Sequence, residues 1–254
     1  MKDSVFTIAG TRHLAPGVFE LKLEGDTSGI QRPGQFIEIA VPGKFLRRPI
    51  SIADWDDGSL TILVRTVGAG TAWLESAAPG TRLDAILPLG NGFDASAAPA
   101  GSRIVLAGGG IGIAPLYALA KSLAAGGREF SIALGFRNAG DIFFAEEFKA
   151  TGGLTAIATE DGSHGIRGFV TDAIRAIHAG DGSGAQPAYI FACGPMPMLK
   201  ALAAMPGIAG GQLSLEARMG CGFGACMGCT IQTRSGPARV CREGPVFAIS
   251  DLPL

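Results

Sequence analysis

The run Arg103-Ile104-Val105-Leu106-Ala107-Gly108-Gly109-Gly110-Ile111-Gly112-Ile113-Ala114-Pro115 decides how this chain folds. A short β-rich apolar segment leads into four glycines within five residues. Proline then stands where a helix would begin. This reads as a buried strand, a tight turn and a helix start, with Pro115 near the first helical position, where its missing N–H costs nothing. It is the context of a phosphate-binding turn, because a helix N-terminus and close glycine backbone together accept an anion. The spacing departs from G-x-G-x-x-G, since Ile113 occupies the place of the third glycine. Close packing alone is the competing explanation.

Downstream, strand and helix signals alternate. Strands are expected over 103–107, 130–134, 154–158 and 188–192, and helices over 114–124, 145–150, 168–178 and 196–205. That order calls for a parallel sheet with helices on both faces. Cys193-Gly194-Pro195 ends the last of these strands. Ligands of such sheets bind outside the carboxyl ends of the strands, so this motif and residues 108–115 should line one cleft.

Upstream, the pattern is different. Short β-rich runs at 5–8, 18–23, 36–41, 60–65 and 82–87, punctuated by glycine and proline, predict an antiparallel barrel or sandwich. One short helix is expected over 71–77, and residues 95–101 read as a linker. Arg48-Pro49-Ile50-Ser51 sits between two expected strands, and Gly70-Thr71 stands at the helix start. An Arg and a helix N-terminus can together hold a pyrophosphate, by bidentate hydrogen bonds and the helix dipole. Taken singly, each reads as a solvated Arg or a turn glycine.

The composition narrows the function. The 254 residues carry 21 Lys+Arg and 22 Asp+Glu, a net charge of -1, which gives no basic excess for nucleic acid. Hydrophobic residues at 47 % exclude a disordered chain. The start lacks a signal peptide's apolar segment, and glycines interrupt the longest uncharged stretch, so a soluble cytoplasmic protein is expected, with no membrane contact. His13, His164 and His178 are scattered and read as surface residues. No acid–base pair or nucleophile triad stands out, so no catalytic side chain is assigned.

Four of the five cysteines fall within 21 residues: Cys221, Cys226, Cys229 and Cys241. The C-x4-C-x2-C spacing with a fourth cysteine further on is that of plant-type [2Fe–2S] ligands. Two tetrahedral irons sharing two sulfides need four soft thiolates, and the intervening glycines let the loop fold tightly. Zinc is the alternative, although its sites usually pair two cysteine knuckles, and Cys241 has no near partner in sequence.

Taken in order, residues 48–51, Gly70-Thr71, Leu89-Gly90-Asn91-Gly92-Phe93, residues 108–115 and Cys193-Gly194-Pro195 resemble the ferredoxin-NADP reductase superfamily. Glu216-Ala217-Arg218-Met219 with the cysteine run, and Val240-Cys241-Arg242-Glu243-Gly244-Pro245-Val246-Phe247, are similar to the electron-transfer subunits of class 1B dihydroorotate dehydrogenases. The resemblance implies an antiparallel FAD-binding β-barrel over 1–98, an NAD-binding α/β domain with a parallel sheet over 99–210 and a small [2Fe–2S] segment over 211–254. It implies flavin contacts from Arg48, Pro49, Ile50, Ser51, Leu63, Val64, Arg65, Gly70 and Thr71. Gly108, Gly109, Gly110, Gly112, Cys193, Gly194 and Pro195 would line the nicotinamide dinucleotide cleft, and the four clustered cysteines would hold the cluster. The implied partner is an FMN-containing, dihydroorotate-oxidising catalytic subunit in a heterotetramer of two plus two.

Ordinary plant-type reductases end in an aromatic residue over the flavin, whereas this sequence closes on Asp251-Leu252-Pro253-Leu254. After the strand at 154–158 come Glu160 and Asp161, where NADP-specific relatives place Ser and Arg. Carboxylates there would repel a 2′-phosphate and suit a ribose 2′-OH, which favours NAD, although Arg137 leaves NADP open. Other readings are the small subunit of a related NAD(P)H-linked ferredoxin or sulfur oxidoreductase, a non-catalytic iron–sulfur redox sensor and a structural zinc module.

Overall fold

The computed structural model describes residues 1–180 and 187–254. Its first half is a closed barrel of β1 (Lys2–Ala15), β2 (Val18–Glu24), β3 (Phe36–Ile39), β4 (Arg48–Asp56), β5 (Ser59–Arg65) and β6 (Arg82–Leu89), in the spatial order β1-β2-β5-β4-β3-β6. All its pairings are antiparallel. Alternation sends Phe6, Ile8, Phe19, Leu21, Leu23, Ile37, Ile39 and Leu83 into one core. Helix α1 (Ala69–Ser76) lies between β5 and β6 and starts two residues before the expected 71.

Residues 48–51 do not lie between strands; they open β4, which pairs with β3 on one side and β5 on the other. Pro49 cannot donate to a ladder, so Arg-Arg-Pro reads as a turn. The barrel closes around it because β3 brings Glu38 opposite Pro49 and Ile37 opposite Ile50.

The second half is a seven-stranded sheet. It is built from β7 (Arg103–Gly109), β8 (Phe130–Phe136), β9 (Leu154–Thr159), β10 (Ile166–Arg167), β11 (Ala188–Cys193), β12 (Ile208–Ser214) and, beyond the small β13 (Thr230–Thr233) and β14 (Gly236–Arg239) hairpin, β15 (Val246–Ala248). The order is β10-β9-β8-β7-β11-β12-β15, parallel except for β15. Helices α2 (Ala114–Ala125), α3 (Ala145–Ala150), α4 (Val170–Gly180) and α5 (Met196–Ala203) accompany it. The order reverses at β7 and β11, whose carboxyl ends carry Gly108 to Gly112 and Cys193 to Pro195. Sequence reading misses β12, whose Ile-Ala-Gly-Gly run has little β signal, and β15, whose three residues are too few to register.

The two halves are joined by specific contacts. Lys121 on α2 pairs with Asp54 on β4 at 2.6 Å, and Arg12 on β1 bridges Glu20 and Glu147, both at 2.9 Å. These pairs are solvent-exposed and contribute little each. The buried links matter more. Gln212 exchanges two hydrogen bonds with the Asp94 backbone, both 2.9 Å, and Phe93 packs edge-on against Phe191.

The glycine turn is explained in part by packing. A Cβ on Gly112 would lie 2.5 Å from the carbonyl oxygen of Cys193, and one on Gly109 would lie 2.6 Å from Met198 Sδ. Gly112→Ala is therefore expected to destabilise the protein by ~1–3 kcal/mol, because buried backbone has to shift. Urea unfolding of the two proteins would measure it, and equal midpoints would contradict the packing account.

Candidate active site and cysteine loop

The barrel and the sheet face each other across a cleft of about 950 Å³. Arg48, Pro49, Ile50 and Ser51 enter it from β4, and Leu63 and Arg65 from β5. Gly109, Gly110 and Gly112 line the opposite wall with Cys193, Gly194 and Pro195. Thr71 and Glu160 also reach it. Three expected residues do not. Val64 points into the barrel core, Gly108 packs beneath Ile113, and Gly70 lies under Arg48.

Gly70 has a steric reason. A Cβ there would collide with the Arg48 guanidinium, 2.8 Å from its Cζ. Glycine thus lets Arg48 lie across the first turn of α1, joining a cation to the N–H end of a helix. Thr71 Oγ1 accepts from the N–H groups of Val67 (2.9 Å) and Gly68 (3.2 Å), which sets that first turn. Arg65 Nε is buried with no hydrogen-bond partner among the described residues. A buried guanidinium nitrogen needs an acceptor, and its Nη2 would be 3.3 Å from a Cβ on Gly110, whose φ of +54° suits glycine. Two cations and two glycine approaches therefore await an anionic ligand with the chemistry of a pyrophosphate.

At the sheet end, Glu160 faces the cleft, whereas Asp161 is turned into its own loop by hydrogen bonds from Ser163 N (2.9 Å) and Oγ (2.6 Å). Only one of the two carboxylates is presented. Arg137 also lines the cleft but is held by Asp141 at 2.7 Å. Burial pushes the Cys193 thiol up to about 12, with the charge of Glu216 adding, so it stays a neutral group in the cleft wall. Burial also raises Glu216, which Arg65 opposes.

Phe36, Phe169, Glu216 and Met219 line the cleft as well, and sequence reading assigns none of them a role there. Phe169 is 62 % exposed, and an exposed aromatic after Gly168 at a helix start was the available signal. Glu216 and Met219 stand in the run that precedes the cysteines, but nothing in that run points to the cleft.

The cysteine loop lies against the outside of the barrel. The four cysteines fall into two hydrogen-bonded pairs: the Cys226 N–H donates to Cys221 Sγ and the Cys241 N–H to Cys229 Sγ, both at 3.4 Å. Among the described residues no three His, Cys, Asp or Glu side chains converge as a single metal ion would need. Two pairs suit two bridged irons. Burial works against ionisation of Cys221, yet hydrogen bonds from the N–H groups of Cys226, Phe223 and Ala225 pull it down to about 6. Burial and its neighbour Cys229 push Cys241 up to about 12, the condition a bound cation relieves. Gly222 and Gly224, with φ of +74° and +91°, make the bends between them. These donors fit a [2Fe–2S] group.

Comparison with known proteins agrees with this geometry. Residues 216–253 match the model of the iron-sulfur cluster binding domain of dihydroorotate dehydrogenase B, and residues 106–204 that of the oxidoreductase NAD-binding domain. The dihydroorotate dehydrogenase B (NAD(+)) electron transfer subunit of Bacillus caldolyticus is 43 % identical over 257 residues, covering 98 % of this chain and 97 % of that one. This chain belongs to the dihydroorotate dehydrogenase B electron transfer subunit family. Another relative of that name, from Shouchella clausii, is 39 % identical over 263 residues, 100 % of this chain and 99 % of its own. Among solved structures, a chain described in work on the NADH-dependent reduced ferredoxin-NADP oxidoreductase superposes with a TM-score of 0.85 at 29 % identity, covering 97 % of this chain and 88 % of that one.

For this electron transfer subunit the Arg48–Gly70 contact is testable. Gly70→Ala should displace the guanidinium and weaken FAD retention roughly ten- to hundredfold, the worth of a charge-assisted hydrogen bond. Iron content should be unchanged. Flavin release on dilution would measure it, and normal retention would show that Arg48 does not hold the phosphates.

Proposed function

We propose that this subunit takes electrons at the cysteine loop from the FMN of a dihydroorotate-oxidising partner and delivers them at the cleft to NAD+. One observation carries the reading. The strand β4 that opens the cleft is the neighbour of β3, whose outer face meets the cysteine loop. When bound, the [2Fe–2S] group exchanges single electrons and FAD joins them into the pair that NAD+ accepts as hydride. The 43 % identity along nearly the whole chain favours this over the ferredoxin-linked reading, to which the chain is 29 % identical.

Residues 1–98 would hold FAD, 99–210 NAD and 211–254 the cluster. Arg48, Arg65 and the first turn of α1 at Gly70-Thr71 would take the pyrophosphate, with Pro49, Ile50, Ser51 and Leu63 beside the flavin. Val64 would contribute backbone only. Gly109, Gly110 and Gly112 with Cys193 to Pro195 would take the dinucleotide, with Gly108 packed beneath the turn and Glu160 at its ribose. Cys221, Cys226, Cys229 and Cys241 would be the iron ligands.

The family's name, electron transfer subunit, implies a catalytic partner subunit. An FMN-bearing partner in a two-plus-two heterotetramer, in the cytoplasm, is the finer reading. Cys226 is exposed, and exposed Phe223 and Met227 flank it, which gives such a partner an apolar approach to the sulfur atoms. Among the described residues no helix is long and apolar enough to cross a membrane.

Cys226→Ser should lose iron and sulfide but keep FAD, because the flavin contacts lie elsewhere in the fold. NADH–dye reduction should survive, and NAD-dependent dihydroorotate oxidation by the reconstituted complex should fall at least about a hundredfold, because losing a ligand costs more than losing an outer-shell partner of a metal site. Cys193→Ser should keep its iron. Coupled turnover at the normal rate in a cluster-free, FAD-replete variant would overturn the electron path.

NADH should reduce the flavin about tenfold or more faster than NADPH at equal concentration. Glu160 disfavours a 2′-phosphate, and Arg137 is engaged by Asp141. Stopped-flow bleaching would compare the two, and a preference for NADPH would reverse the assignment of Glu160.

A further inference from the structure

Phe45 is 100 % exposed, the most solvated large apolar side chain among the described residues. It stands in the connection between β3 and β4, an arm of residues 42–47 that leaves the barrel after the strand pair Ile39 opposite Arg48. Two arginines hold the arm at its base. Arg47 Nη1 donates to the Asp84 carbonyl on β6 at 3.0 Å, and Arg48 Nη1 donates to the Leu46 carbonyl. Gly43, with φ of +69°, makes the turn. Leu46, next to Phe45, is exposed as well.

The cysteine loop lies beside this arm. A Cβ on Gly222 would be 2.6 Å from Cγ and Oε1 of Glu38, so the loop covers that buried side chain on the outer face of β3. Glu38 comes one residue before the pair from which the arm springs. Phe223 and Met227 follow in the loop, and both are exposed. Met227 has φ of +62°, a left-handed conformation that residues other than glycine seldom adopt and that clusters at functional sites. Eleven large apolar side chains are exposed among the described residues, and these two short stretches hold four of them. Scattered apolar residues need no explanation, whereas a cluster marks an interaction surface. The charges around it are mostly of one sign. Lys44 and Arg47 belong to the arm, Arg218 precedes the loop, and Arg242 packs so closely on Gly224 that a Cβ there would be 2.6 Å from its Cδ. Neither 42–47 nor 217–229 contains an Asp or Glu, and nearby Glu243 is engaged by Arg239. Because the whole chain carries -1, these cations are concentrated by placement and not by composition.

We propose that the arm at 42–47 and the cysteine loop form one docking face for the catalytic partner subunit, with Phe45 as its anchor and an acidic-rimmed apolar recess as the matching surface of the partner. The inference rests on the functional reading above. The electron donor has to reach the cysteine sulfurs, and Cys226 is exposed on this loop, so the body that covers the loop also meets the arm. A second copy is a poor occupant, because a twofold contact sets a patch against its own image and these cations against one another. Aromatic residues, Met and Arg are the types enriched in interfaces, and an anchor held out on a braced arm avoids the cost of ordering it on binding. Cations at the rim steer an acidic surface towards the face and fix its register.

The test uses the full-length subunit loaded with FAD and iron, and the dihydroorotate-oxidising flavoprotein of the same organism. Association and dissociation rates are measured at low and high salt. Phe45→Ala should weaken the complex about thirtyfold, the level of an interface hot spot, chiefly through faster dissociation. Its FAD, iron and NADH–dye reduction should be unchanged. Leu154→Ala removes an exposed apolar side chain outside the face and should bind as the wild type does. Lys44→Glu combined with Arg218→Glu should slow association about tenfold at low salt, and the difference should close at high salt. Unchanged affinity in a Phe45→Ala protein with full FAD and iron would overturn the proposal. So would an equal loss in Leu154→Ala, or faster association of the charge-reversed protein. Self-association of the subunit alone that Phe45→Ala abolishes would put a second copy on this face instead. A wild-type protein that forms no complex with the flavoprotein would overturn the functional reading, and this inference with it.

Discussion

The arrangement depends on a clamp between the turn after β6 and the segment before β15. Asn91 donates its side-chain amide to the carbonyls of Glu243 and Val246 at 2.9 and 2.7 Å, and its own carbonyl accepts from Val246 N at 3.1 Å. Its backbone N–H reaches the Gly244 carbonyl at 2.8 Å. Gly90, with φ of +74°, packs so closely on Pro245 that any Cβ would collide with it. A single asparagine therefore fixes the far end of the chain to the barrel. With the β12–β15 pairing and the close approach of Gly222 to Glu38, that attachment sets how the cysteine loop lies against β3. Arg239 stiffens the same region by pairing with Glu243 and donating to the Gly224 carbonyl at 2.8 Å.

Much of this was legible in the amino-acid sequence, for identifiable reasons. The cysteine spacing is read directly because covalent chemistry demands it. The strand–glycine–helix run at 103–115 is read because period, turn residues and proline agree. The barrel strands with clean alternation are legible too. What escaped was set by tertiary structure. β4 carries a proline as its second residue, so its membership of the barrel depends on β3 lying beside it. β12 is made of small residues whose strand character comes from the neighbours it pairs with. Glu216 owes its place to β12, and the buried state of Glu38 to a loop nearly two hundred residues away. The motif at 89–93 was visible as letters, but its purpose as a clamp needed the partner segment in view.

Sequence reading treats residues 108–112 as a ligand-binding turn, with packing as the competing explanation. In three dimensions the two divide the positions between them. Gly108, Gly109 and Gly112 are small because Ile113, Met198 and the Cys193 carbonyl press on them, whereas Gly110 has a positive φ and opens towards Arg65. Close packing beneath the turn holds its upper surface in place on the wall of the cleft.

The last strand has a further consequence. A parallel sheet ending on β12 would leave a row of unpaired backbone donors and acceptors, a template on which any extended chain could add itself. β15 runs antiparallel along that border and covers it over three residues, and at the opposite border β10 is two residues long. Each margin is thereby covered in part, β15 over residues 212–214 of β12 and β10 over residues 158–159 of β9. The same C-terminal stretch that carries Cys241 thus also shortens the open border of the sheet, leaving fewer unpaired backbone groups for an extended chain to meet.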